Sequence, residues 1–367
     1  SLTTTANSFD VNVSVAAGTA TVTLSKAAGY STADAQTLVD GLAYANSSDD
    51  PLGASRTVTL TAIQDTGGTA NGGVDQTALS IGSTVTLTAV NDGPSLTATA
   101  DDPTFTEGGA AAGLFSSSSI GLVEAADSVD TITLTVAGLQ NGSDELLHID
   151  GQAVALTNGN SLTTTANSFD VNVSVAAGTA TVTLSKAAGY STGDAQTLVD
   201  GLQYENSSND PLGASRTVTL TAIQDTGGTA NGGVDQTALS IGSTVTLTPV
   251  NDGPSLTATA DDPTFTEGGA AAGLFSSSSI GLVEAADAVD TITLTVAGLQ
   301  NGSDELLHID GQAVALTNGN SLTTTANSFD VNVSVAAGTA TVTLSKAAGY
   351  STGDAQTLVD GLQYENS

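Results

Sequence analysis

Oxygen donors are the residues best supplied for chemistry here, with 38 Asp and Glu standing against 5 Lys and Arg for a formal net charge of -33. Divalent cations are the natural counter-charge. Calcium takes six to eight oxygen ligands, so several carboxylates and carbonyls must converge, and acidic loops at opposite ends of stacked units can do that. Without a cation, the same carboxylates repel one another. Other constellations are thinner. His148 and Asp150 lie beside Asp144 and Glu145. Alternation places His148 and Asp150 on one face of a strand, and two histidines in the whole chain leave no second imidazole, so a strand-end or turn role is expected. No nucleophile elbow supports a Ser-His-Asp site. Gly72-Gly-Val-Asp75 matches half of a calcium-binding nonapeptide but does not recur in tandem, so it reads as a loop. Lys26, Lys186 and Lys346, the only lysines, are candidates for an isopeptide crosslink to an Asn, as in some surface sandwiches. No catalytic constellation emerges, and an enzyme is not expected.

The elements that must position these groups come in a repeat. The run beginning Ser-Leu-Thr-Thr-Thr-Ala-Asn-Ser-Phe-Asp starts at Ser1, Ser161 and Ser321, a period of 160 residues. Residues 1–160 and 161–320 differ only at Ala33/Gly193, Ala43/Gln203, Ala45/Glu205, Asp49/Asn209, Ala89/Pro249 and Ser128/Ala288. Such a period is too long for one turn of a solenoid and right for a whole domain. Boundaries are expected at Val90-Asn-Asp-Gly-Pro94 and Val250-Asn-Asp-Gly-Pro254, where a strand-like run meets Asp-Gly and then proline. The organisation expected is therefore 1–94, the C-terminal part of a repeat; 95–254, a complete repeat; and 255–367, the N-terminal part of the next.

Within 95–254, alternating runs predict strands at 95–100, 131–136, 169–175, 180–184, 217–223 and 243–250, separated by Gly, Asn and Asp clusters. Many short strands with polar turns indicate an all-β sandwich. One segment departs: Ser191-Thr-Gly-Asp194 has the form of a capping box, and Ala195, Leu198, Val199 and Leu202 follow at helical spacing. A short helix closing an edge of the sandwich is expected. Composition agrees. Aromatics are 4% and Cys, Met and Trp are absent, so the core must be built from Val, Leu, Ile and Ala, while 39% hydrophobic content argues against a disordered acidic tail. Five basic residues offer no surface for phosphate backbones, no apolar run is long enough to span a membrane, and no signal-peptide pattern opens at Ser1.

The order of motifs carries a resemblance. Arg216-Thr-Val-Thr-Leu-Thr-Ala-Ile-Gln-Asp-Thr-Gly-Gly228, followed by Ser243-Thr-Val-Thr-Leu-Thr-Pro-Val-Asn-Asp-Gly-Pro254, resembles the last two strands and linker of cadherin-like repeats. Phe105-Thr-Glu-Gly108 and Asp127-Ser-Val-Asp130 fit the same pattern. Together with Leu198-Val-Asp-Gly-Leu-Gln-Tyr-Glu-Asn-Ser-Ser208, the chain is similar to the giant tandem-repeat adhesins of bacteria, including those exported with calcium-dependent signals.

The resemblance implies tandem Greek-key β-sandwich modules of cadherin-like or Ig-like form. It also implies Ca2+ at their junctions, held by a Glu of the upper module, Asn and Asp of the linker, and Asp residues of the lower module. Carried over, one junction would use Asn91, Asp92, Asp127, Asp130 and Asp225, and the other Glu107, Asn251, Asp252, Asp287 and Asp290. Two departures stand out. Ala89 or Pro249 replaces the Asp usual two residues before the linker Asn, and the paired Asp residues are one position further apart. The function implied is a calcium-stiffened stalk of a secreted, cell-surface bacterial adhesin whose partners are calcium and neighbouring repeats. The alternative is a self-assembling structural polymer, such as a filament, biofilm matrix fibre or surface layer, built on strand exchange or lateral contacts between copies.

Overall fold

The computed structural model describes residues 2–5 and 7–367. It is mostly β, with half of the chain in strands and three α-helices among the described residues. The alternating runs become strands because successive side chains of an extended backbone point to opposite faces, so Val, Leu and Ile gather on one side and Thr and Ser on the other. In residues 95–254 the strands are β1 (Ser95–Ala100), β2 (Thr104–Thr106), β3 (Ala112–Gly113), β4 (Phe115–Gly121), β5 (Val129–Ala137), β6 (Glu145–Ile149), β7 (Gln152–Ala155), β8 (Ser161–Thr163), β9 (Asp170–Ala176), β10 (Thr179–Tyr190), β11 (Gln203–Asn206), β12 (Ser215–Asp225) and β13 (Gln236–Thr248). A seven-stranded sheet runs β8-β9-β10-β5-β12-β13-β2 and a four-stranded sheet runs β7-β6-β11-β3, while β1 pairs with β4. All pairings are antiparallel except β13 with β2. Inward residues of both sheets share one continuous core from Leu96 to Leu247, the arrangement of a sandwich.

The helix α1 (Thr192–Asp200) starts where the capping box predicts. Asp194 N donates to Ser191 Oγ, and Ser191 Oγ donates to Asp194 Oδ2. Ala195, Leu198 and Val199 are buried, and the helix lies along β4, with Ser118 N donating to Asp200 Oδ1 and Ser118 Oγ to Gln196 O. Its expected role of closing an edge is what the contacts describe.

The core also holds one ion pair. Arg216 and Glu145 have fully buried side chains, bonded through Arg216 Nε to Glu145 Oε2 (2.6 Å) and Arg216 Nη2 to Glu145 Oε1 (2.9 Å). Tyr204 Oη and the backbone N–H groups of Gln140 and Asn141 complete the shell of Glu145. Burial alone would raise the Glu145 carboxyl, but the Arg216 hydrogen bonds and then the two backbone donors outweigh it and hold it below its ordinary value.

Outside 95–254 the same elements recur with fewer partners. Residues 255–367 repeat the strands from Ser255–Ala260 to Gln363–Asn366 and form a second core from Ile280 to Leu362. Residues 2–94 carry a three-stranded sheet, a helix (Thr32–Asp40) and a hairpin of Ser55–Gln64 with Gln76–Thr86 that pairs with nothing else.

Candidate metal centre at the repeat junction

Asp225 reaches this junction because β12 changes face. Arg216, Val218 and Leu220 point inward, a bulge between Leu220 and Ala222 resets the alternation, and Ile223 and Asp225 then point inward as well. Asp225 is 2% exposed. Its partner across the ladder is Val129 at the start of β5. The backbones continue together beyond the strands: Thr226 N donates to Ser128 O, and Ser128 N to Thr226 Oγ1. Asp127 is thereby set beside the turn that follows Asp225.

The third member arrives on the linker. Asn91 O accepts from Val234 N (2.9 Å), and Asn91 Nδ2 donates to Val234 O (2.7 Å) and Asp225 Oδ1 (3.0 Å). These bonds fix the amide so that its oxygen faces inward. A methyl placed on Gly227 would lie 1.9 Å from Asn91 Oδ1 and 2.7 Å from Asp127 Oδ2, so both oxygens crowd the same bare Cα. Asp225 Oδ1 is engaged by Asn91 Nδ2 and Gly227 N. The remaining oxygens, Asn91 Oδ1, Asp127 Oδ2 and Asp225 Oδ2, are buried and have no hydrogen-bond donor. Such groups ordinarily find a partner, and leaving one unmet costs about 1–3 kcal/mol. Burial, then the charges of Asp225, Glu124 and Asp50, push the Asp127 carboxyl above its ordinary value.

The junction-ligand expectation is met unevenly. Asn91, Asp127 and Asp225 come together. Asp92 contributes its N–H, which donates to Glu124 Oε1 and Oε2. Asp130 has other neighbours: it accepts from Thr131 Oγ1, and its charge raises Tyr190. Glu124 and Asp50 were not among the expected residues. Glu124 stands three residues before Asp127, a spacing that could have flagged it. Asp50 sits in a Ser-Ser-Asp-Asp-Pro turn with no signal of its own.

At the other junction, Glu107 Oε2 accepts from Val250 N, and Glu107 and Asp252 line one cleft of about 420 Å³. Asp252 N donates to Glu284 Oε1, and Asp252 Oδ2 and Glu284 Oε2 are buried without donors. Asn251, Asp287 and Asp290 are exposed, since the position equivalent to Asp225 falls beyond Ser367. Among the described residues, no three Asp, Glu or His side chains form a group that could by themselves hold a metal. The first junction joins two carboxylates and an amide oxygen.

The reading of His148 and Asp150 on one strand face needs correction. β6 ends at Ile149, and Asp150 turns out of it with φ 53°. Asp150 accepts from Thr164 Oγ1, Asn167 N and Asn167 Nδ2, while His148 Nε2 meets Glu205 Oε2 at 2.6 Å. They serve separate turn and cross-strand contacts. Lys186 lies over the Phe169 ring. No helix among the described residues is long and apolar enough to cross a membrane. Comparison with family models, curated proteins and solved structures returned no match for the chain.

Proposed function

We propose that this chain is a run of tandem modules whose junctions bind Ca2+, and that it acts as a stiffened stalk of a secreted bacterial adhesin rather than as an enzyme. The observation that carries the reading is the convergence of Asn91 Oδ1, Asp127 Oδ2 and Asp225 Oδ2, buried and without donors, where a linker meets the following repeat. The donors fit the ion. They are all oxygen, they carry net negative charge, and the unmet side chains need a cation rather than another acceptor. Asn91 would hold it from the linker, Asp127 and Asp225 from the lower repeat, with Asp50 and Glu124 adding negative charge nearby. Bound there, calcium would cancel the repulsion that raises Asp127 and tie the linker to the unit that follows.

The module of this proposal is 95–254, Greek-key in connection, as the cadherin-like resemblance implies; the continuous core from Leu96 to Leu247 supports that frame. Small-angle scattering with calcium and with chelator tests the function. A longer maximum dimension and a narrower distance distribution with calcium are expected, and identical profiles would overturn the stalk reading.

A further inference from the structure

Glu145 and Glu305 occupy the same place in successive repeats, and only one has its partner. Glu145 is clasped by Arg216, whereas Glu305 is 3% exposed and its Oε2 meets no donor, because the position equivalent to Arg216 lies beyond Ser367. An arginine of the same repeat position does exist in the chain. Arg56 is exposed and its guanidinium reaches only the carbonyls of Ser55 and Leu52.

The surfaces around these two groups match in the same way. In 95–254, β5 is sandwiched between β10 and β12, and Ile132, Leu134 and Val136 are fully buried opposite Ile223, Leu220 and Val218. In 255–367 the equivalent strand, Val289–Ala297, pairs only with Thr339–Tyr350 and leaves an open edge, with Ile292, Leu294 and Val296 only half-buried. Meanwhile the hairpin 55–86, which carries the sequence that would cover this edge, exposes Val58 and Ile63 by 44% and 57%. A strand edge of this kind is a template for the segment that fits it.

We propose that the hairpin 55–86 of one copy adds to the Val289–Ala297 edge of a second copy and seats Arg56 on Glu305, so that copies join head to tail. The register is the one seen inside 95–254: Ile63 opposite Ile292, Leu60 opposite Leu294, Val58 opposite Val296. Residues 1–47 of the incoming copy stay outside, because 321–367 already fill that place, with Val333 and Val342 buried where Val13 and Val22 are exposed. The assembly goes beyond the stalk reading and does not depend on cation binding.

Sedimentation velocity of the 367-residue chain in chelator, over a wide concentration range, tests it independently of calcium. Mass should rise in whole-chain steps. Arg56→Glu, exposed in the single copy and so neutral to its folding, should weaken association by about a hundredfold, since it sets a carboxylate against a buried one. Lys26→Glu, an equal charge change on the segment left outside, should leave association intact. A monomer at every concentration, or equal effects of the two substitutions, would overturn the proposal.

Discussion

Replacing Asp225 by Asn should change the sign of its effect with calcium. The substitution keeps the shape of the side chain and an oxygen to accept from Asn91 Nδ2 and Gly227 N, while the new amide offers a donor toward the unmet Asp127 Oδ2. Gly227 N lies 3.0 Å from Asp225 Oδ1, and a methyl on that glycine would lie 2.7 Å from Asp127 Oδ2. The carboxylates therefore face each other within about 8 Å, where like charges at an effective dielectric of about 20 repel by about 2 kcal/mol. In chelator the variant should gain that amount, or roughly 4–8 °C in the melting of the 95–254 core. With free calcium at a hundred times its dissociation constant, the native protein gains about 2.7 kcal/mol by mass action and the variant far less, so the order reverses. Calorimetric melts of both proteins, with calcium and with chelator, read this directly. A variant less stable under both conditions would show that Asp225 is a structural turn residue and refute the reasoning.

Other outcomes follow from the same geometry. Arg216→Met should cost about 3–5 kcal/mol in urea unfolding, because it strands a buried carboxylate; a loss under 1 kcal/mol would contradict the buried pair. Because Glu145 is held below its ordinary value, the stability it contributes is complete above the unfolded value of 4.5 and fades as pH falls through the lower folded one. The gap between Arg216→Met and the native protein should therefore narrow in acid, and a gap constant with pH would count against the assignment. Gly227→Ala drives a methyl into Asn91 Oδ1 and Asp127 Oδ2. It should release the 91–94 linker to proteolysis and abolish calcium protection of that bond, whereas Gly253→Ala, with open space at its Cβ, should do neither.

The long strands and the helix were legible because their periods are strong. The runs expected at 95–100, 131–136, 169–175, 180–184 and 217–223 fall on β1, β5, β9, β10 and β12, and the capping box at Ser191 marks the helix start. The run 243–250 caught only the end of β13, whose first half contains the Ser-Ile-Gly-Ser stretch that breaks alternation. Strand β4 escaped because Phe115-Ser-Ser-Ser-Ser-Ile-Gly121 has no apolar rhythm; it is held by β1 and by the helix. Inward-facing charge was legible in principle. Arg216 shares parity with Val218 and Leu220, and Glu145 with Leu147 and Ile149, which puts both on apolar faces. What no local pattern carries is convergence. Asn91 and Asp225 meet across 134 residues, and the bulge that turns Asp225 inward is a property of the paired strands rather than of either sequence alone.

Calcium titration calorimetry of the intact chain tests the central claim most directly, with Asp127→Asn measured beside it. One site of higher affinity is predicted at the junction of Asn91, Asp127 and Asp225, lost in the variant. A second, weaker binding event is predicted at Glu107, Asp252 and Glu284, unchanged by it. No binding heat, or a high-affinity site that survives Asp127→Asn, would contradict the account.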